Sequence, residues 1–323
     1  MVRAMRFAIV GSGGVGGYYG ARLVRAGQDV TFLARGAHLR AMRERGLSIR
    51  SAEGDFTVQV RAEEDATRVG PVDVIVLAVK NYDVPSVLPT VKTLAAASDR
   101  PGLGGSTAAV LTLQNGVDSP GEVATVVGEA PVIGGTTYIS TAISEPGVIS
   151  QTGTLHRIIL GEVFGDTSRV SARVQTLRDT LAGAGLNVEA VADARAPLWE
   201  KLAFLAPMSG FCTAARLPLG PLRDAGPAFR EQFQEAAAEV LRVANAEGVA
   251  TTTRAEDVVA FMAGLQDGMR PSMMVDLEAG KPLEVEYLQG TVSRRGRARG
   301  VPTPVMSTLY SLLLPHARGP GKG

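Results

Sequence analysis

Lysine is rare in this chain and arginine is not. Lys80, Lys92, Lys201, Lys281 and Lys322 are the only lysines among 323 residues, so a lysine set inside an apolar segment stands out. Lys201 is that lysine. It lies near the start of Trp199-Glu-Lys-Leu-Ala-Phe-Leu-Ala-Pro-Met-Ser-Gly210, a strongly apolar helical run. Burial penalises an ammonium and lowers its pKa toward the range useful for acid–base work. A lysine reaching from a helix end to water is the competing reading. Glu284, in Leu283-Glu-Val-Glu-Tyr-Leu288, is a carboxylate able to face inward, because it shares a helix side with Leu288. Ser272 opens the short helical stretch Ser272–Ala279, where its plain role is an N-cap; the same helix start could hold a substrate carboxylate.

A second constellation sits at the amino end. Arg6–Val10 reads as a buried strand, Gly11-Ser12-Gly13-Gly14-Val15-Gly16 as a GxGxxG turn, and Gly17–Gly27 as a helix with a glycine stop. Strand, turn and helix in that order is the context that makes this pattern informative. Gly11 permits the tight turn, Gly13 lets backbone approach a pyrophosphate, and Gly16 lets helix and strand pack closely. The helix start then offers N–H groups and a positive dipole end to phosphate. A glycine-rich turn without a ligand is the bland reading.

The end of the second strand, Asp29–Leu33, selects the dinucleotide. A binder of NAD places an acid here for the ribose hydroxyls; this chain has Ala34 and Arg35. The planar fork of Arg35 suits a 2′-phosphate, which points to NADP, although a solvated arginine would look the same. The apolar strand Val72–Val79 delivers Lys80 to its carboxyl end, and Ala108–Leu113 delivers Gln114-Asn115-Gly116. Asn-Gly is a common turn pair, yet open α/β sheets bind ligands along that edge.

The elements that must position these residues change character along the chain. Surface-hairpin alternation appears at Leu47–Arg50 with Phe56–Val60. Further strands are expected at Pro131–Ser140, Gly147–Ser150, Ile158–Gly161 and Asn187–Val191, with a helix over Ser168–Gly185. From Asp193 onward nearly everything is helical, at Pro197–Gly210, Ala228–Glu247, Arg254–Leu265 and Glu284–Arg299. The expected fold is α/β: a Rossmann-type dinucleotide-binding domain over residues 1–192, then an all-helical domain over 193–323 for substrate and dimerisation. A cleft between two such domains is the usual home of a substrate. The long apolar helices suit a homodimer or burial within one subunit. Gly102–Ser106 reads as a loop and His316–Gly323 as a frayed tail.

Bulk composition narrows the function classes. A net charge of +1 argues against a dedicated nucleic-acid binder, and the run Arg294, Arg295, Arg297, Arg299 reads as a solvated helix face. Cys212 is the one cysteine, which excludes an internal disulfide and fits a reducing cytosol. His38, His156 and His316 make no metal-ligand spacing with it, so no metal is expected. No apolar run reaches the ~18 residues of a membrane span, and no signal peptide is visible. The expectation is a soluble cytoplasmic protein.

The ordered motifs together resemble the ketopantoate reductase (2-dehydropantoate 2-reductase) family. The likeness runs through the glycine turn, Leu33-Ala-Arg-Gly36, Leu77-Ala-Val-Lys80, Gln114-Asn-Gly116, Leu198-Trp-Glu-Lys-Leu202, Ser272-Met-Met-Val-Asp276, Ala279–Leu288 and Gly300-Val-Pro-Thr-Pro304. It implies NADPH-dependent reduction of a small 2-oxo acid to a 2-hydroxy acid, ketopantoate to pantoate in pantothenate biosynthesis. Arg35, Lys80 and, more loosely, Ala142 would contact the cofactor, and Asn115 both cofactor and substrate. Lys201 would be the general acid. Glu284 would sit by the cofactor and the reacting oxygen, while Ser272 and Ser209 would hold substrate. The family usually has Asn four and eight residues after the lysine and again near position 219; here stand Leu205, Ser209 and Leu219. Those departures point to a less polar 2-oxo acid. An opine-type dehydrogenase and a non-catalytic NADP-binding regulator are the alternatives.

Overall fold

The computed structural model describes residues 4–98 and 103–319. Gly102 of the expected loop and residues 320–323 of the tail, Lys322 among them, lie outside the described residues. The chain forms two compact units, Met1–Gln114 with Ser119–Ala194, and Asn115–Asp118 with Arg195–Gly323.

The first unit opens with β1 (Arg6–Val10), α1 (Gly14–Arg25), β2 (Asp29–Leu33), α2 (Gly36–Arg45) and the antiparallel pair β3 (Leu47–Arg50) and β4 (Phe56–Val58). β5 (Arg61–Glu63), β6 (Val74–Leu77), α3 (Val84–Ala96), β7 (Ala109–Thr112) and α4 (Ser119–Val127) follow. β8 (Val132–Glu145), β9 (Val148–Glu162), α5 (Ala172–Gly183) and β10 (Asn187–Asp193) complete it. One mixed sheet runs β4-β3-β9-β8-β7-β6-β1-β2-β5, with β10 added beside β9. β6 and β7 are buried along their whole length, as their unbroken Val-Ile-Leu runs require of parallel strands covered on both faces. β1 lies between β2 and β6 and parallel to both, so its carboxyl end and the glycine turn face the ligand edge of the sheet.

The three separate strand segments expected after Pro131 are in fact one long antiparallel hairpin, β8 against β9. β9 borders β3 at Val148–Ser150 and β10 at Arg157–Glu162. Its exposed middle, Thr152–Leu155, carries no apolar alternation, which is why the continuity was invisible in sequence.

The second unit is helical: α6 (Arg195–Ala215), α7 (Leu219–Arg223), α8 (Pro227–Ala246), α9 (Ala255–Ala263), α10 (Ser272–Glu278), α11 (Gln289–Arg299) and α12 (Pro304–Leu313). Leu202, Ala203 and Ala206 of α6 pack in one core with Phe233, Val240 and Leu309. That burial carries α6 through Pro207, although proline removes an amide donor from a helix interior. α12 is tied to the core at its start: the fully buried Glu239 carboxylate accepts the backbone N–H of Val305 and of Met306, each at 2.8 Å. The helix expected from Glu284 starts only at Gln289. Val285–Leu288 form turns instead, with the amides of Tyr287 and Leu288 both donating to the Glu284 carbonyl. No helix among the described residues is long and apolar enough to cross a membrane.

Candidate active site

In the sheet unit, the backbone of the glycine turn is shaped by what cannot fit. Gly11 has φ +101°, where a side chain is strained, and a Cβ there would meet the Val79 nitrogen at 2.5 Å. A Cβ on Gly16 would meet the Gly11 carbonyl oxygen at 2.2 Å. Gly13 differs, because nothing lies within 4 Å of its Cβ direction. The turn is therefore closed toward the sheet and open at Gly13. The first turn of α1, with Gly14 and Val15, holds no acidic residue and no side-chain cap, leaving its orphan amides for an anion. This arrangement fits a dinucleotide pyrophosphate. Ser12 is buried and its hydroxyl donates to the Leu33 carbonyl at 2.7 Å, so its one side-chain proton is committed to the end of β2.

Arg35 is exposed at the N-cap of α2, whose first turn also lacks an acid. Positive charge and free amides there suit a phosphate better than a ribose hydroxyl. Ala142 lies exposed on β8, and the neighbouring Thr141 carbonyl comes within 2.5 Å of a Cβ built on Gly14. Lys80 is half-buried just past β6. The ends of β6 and β7 are locked together by Gln114, whose side-chain amide donates to the carbonyls of Leu77 and Val79 at 3.0 and 3.2 Å.

The helical unit brings together three other sequence-predicted residues. Lys201, nearly two turns into α6, donates from Nζ to Asn115 Oδ1 at 2.8 Å. Burial pushes the Lys201 ammonium down to about 8, with the nearby Glu284 carboxylate pulling the other way. Glu284 itself is 4% exposed. Gly116 presses against the same turn, since a Cβ on it would lie 2.7 Å from the Tyr287 carbonyl. A desolvated lysine beside a carboxylate and an amide can hold a proton and release it to an oxygen.

Other residues are less central. Ser209 is buried and its hydroxyl donates back to the Leu205 carbonyl at 2.6 Å, as serines in helix interiors often do. Leu205 is half-buried on the Lys201 side of α6, together with Phe204. Leu219 is fully buried. Ser272 is exposed and is the first residue of α10, whose N-cap is Pro271 rather than the serine. Sequence reasoning carries Gln114 only within the Gln114-Asn115-Gly116 motif and misses Asp118, whose partner Arg295 lies far away in the chain. The arginine run of α11 is largely spent on carboxylates: Arg294 on Glu286, Arg295 on Asp118 and Glu247, and Arg299 on Glu247.

A dinucleotide-type turn on the parallel strands of a mixed sheet, joined in one chain to a half-buried lysine centre, defines an oxidoreductase. The family described as Ketopantoate reductase PanE/ApbA matches residues 7–165, and its C-terminal counterpart matches residues 193–317. The chain belongs to the ketopantoate reductase family. It is 29% identical to an uncharacterized oxidoreductase, YkpB, of Bacillus subtilis (strain 168), over 96% of this chain and 98% of that one. The solved structure of 2-dehydropantoate 2-reductase from Geobacter metallireducens GS-15 superposes with a TM-score of 0.86 at 31% identity, covering 96% and 99% of the two chains. A ternary structure of D-mandelate dehydrogenase with NADH and anilino(oxo)acetate shares the fold, with a TM-score of 0.84 at 22% identity over 96% and 98%.

Proposed function

We propose that this protein is an NADPH-dependent reductase that converts a 2-oxo acid to the 2-hydroxy acid. The observation that carries the reading is the Lys201 centre: a desolvated ammonium, hydrogen-bonded to Asn115 and facing Glu284. With a pKa of about 8, Lys201 is roughly nine-tenths protonated at pH 7 and still willing to release the proton. NADPH, when bound, supplies the hydride that the carbonyl carbon accepts. Lys201 gives its proton to the carbonyl oxygen, and its charge stabilises the alkoxide as it develops. Asn115 orients the lysine and offers its amide to substrate, while Glu284 keeps the ammonium charged and helps return a proton to it. Gly11–Gly16, Arg35, Lys80 and Ala142 hold the cofactor, with Arg35 selecting the 2′-phosphate.

Leu205 and the self-satisfied Ser209 support a substrate less polar than ketopantoate. An apolar side chain offers nothing to a substrate hydroxyl, and an unpaired hydroxyl is expensive to desolvate. The D-mandelate dehydrogenase fold neighbour, solved with anilino(oxo)acetate, makes such a substrate a natural member of the test panel. The sole cysteine of the chain, buried and unpaired, suits a reducing cytosol.

The test compares kcat/KM for ketopantoate with that for 2-oxo acids bearing branched or aromatic hydrocarbon side chains. A preference of tenfold or more for the hydrocarbon acids supports the less polar substrate. A ketopantoate preference would make this a pantothenate-pathway reductase and sink the argument from Leu205.

A further inference from the structure

Asn115 reaches Lys201 from a segment of only four residues, Asn115–Asp118, that belongs to the helical unit and not to the sheet strand preceding it. Such a short insertion can hold an amide in place only if it is itself held. Its far end is gripped firmly. One oxygen of Asp118, Oδ1, accepts from Arg295 Nε at 3.1 Å, from Arg295 Nη2 at 2.6 Å and from Thr291 Oγ1 at 3.0 Å. Arg295 is fixed in turn: its Nη1 lies 2.9 Å from Glu247 Oε2, and Arg299 Nε bonds the other oxygen of Glu247 at 2.7 Å. Asp118 and Glu247 side chains are each 17% exposed. Exposed single ion pairs contribute little; a forked, largely desolvated pair inside a network fixes geometry.

Between the grip and the amide lie two residues with no slack. Gly116 has φ +87° and sits flush against the Tyr287 carbonyl, and Val117 packs into the helical core. We propose that the Asp118–Arg295 pair is the positioning device that holds the Asn115 carboxamide against the Lys201 ammonium. Its effect on catalysis rests on Lys201 being the proton donor. Its effect on Lys201 does not.

The physical link is simple. An amide oxygen accepting from the ammonium favours the charged form, so releasing Asn115 lets desolvation act with less opposition. The Glu284 carboxylate, just ahead of the turn that leads into α11, also favours the charged form of Lys201. Asp118 meets Arg295 and, through it, Glu247 and Arg299.

The chain holds only five lysines, so lysine labelled with 13C at Cε gives a spectrum in which each can be followed. Lys201 is assigned by the peak lost in Lys201→Arg. Full-length protein is titrated as wild type, Asp118→Asn and Thr291→Val, with Arg242→Gln as a control that breaks an exposed pair with Glu235 on α8. The expected result is a Lys201 midpoint lower by about half a unit or more in Asp118→Asn, a threefold change in proton affinity. A smaller shift in the same direction is expected in Thr291→Val and none in the control. Asp118→Glu should restore part of the shift. An unmoved Lys201 midpoint in folded Asp118→Asn overturns the proposal, and so does an equal shift in the control. Should Asp118→Asn fail to fold, an unmoved midpoint in Thr291→Val overturns it. The titration needs no substrate. If no 2-oxo acid is reduced while the midpoint still shifts, the reductase reading fails and the positioning pair stands.

Discussion

Lys201 and Asn115 are 86 residues apart in the chain and 2.8 Å apart across a hydrogen bond. The donor comes from a helix and the acceptor from a four-residue insertion that crosses into the helical unit. Asn115→Ala should therefore lower kcat about 10- to 100-fold, the scale of losing one oriented group at a reacting oxygen. The apparent affinity for NADPH should change much less. Steady-state kinetics with NADPH and substrate varied separately checks this; a loss confined to KM for NADPH would place Asn115 on the cofactor alone.

The depressed Lys201 pKa sets the pH dependence expected of the proposed reduction. In that reaction the acid is the ammonium, which is lost as pH rises through about 8, not through the 10.5 of an ordinary lysine. kcat/KM should be level below that point and fall about tenfold per unit above it. A rate that stays level to pH 10 would show that the proton comes from elsewhere.

Arg35 stands exposed where the second strand ends, and no acid accompanies it in the first turn of α2. Arg35→Gln should raise the KM for NADPH by tenfold or more while leaving that for NADH within about twofold, since only NADPH carries the 2′-phosphate. Equal losses for both cofactors would mean that Arg35 supports the loop and reads no phosphate.

Glu239 joins α8 to the start of α12 by accepting two backbone amides in a fully buried place. Glu239→Ala leaves both donors unsatisfied and should cost about 2–4 kcal/mol. A urea titration followed by circular dichroism reads that loss; a change under about 0.5 kcal/mol would mean that water replaces the carboxylate.

Much of this was legible in the sequence because local pattern and burial agree. The glycine turn lies between a buried strand and a helix, as its spacing requires, and the scarcity of lysine marks Lys201 without reference to its partners. A helical argument points Glu284 inward, yet it sits ahead of a turn that becomes α11 only at Gln289. Its inward direction comes from tertiary packing that periodicity does not encode. Ser272 looked like a cap and is not one, because Pro271 takes that position. Ser209 looked free for substrate, but its nearest acceptor is the carbonyl one turn back. The role of Asp118 depends on an arginine 177 residues away, and no local pattern carries that information. The α11 arginines read as a solvated face for the same reason.

The central claim is that Lys201 delivers the proton when a 2-oxo acid is reduced. The most direct measurement follows NADPH oxidation by wild type and Lys201→Ala on one panel of 2-oxo acids, with NADPH binding measured for both. The account predicts turnover by wild type, a loss of 10²-fold or more in kcat for the variant, and NADPH affinity unchanged within about twofold. A variant that keeps wild-type turnover, or a wild type that binds NADPH and reduces no 2-oxo acid, would contradict it.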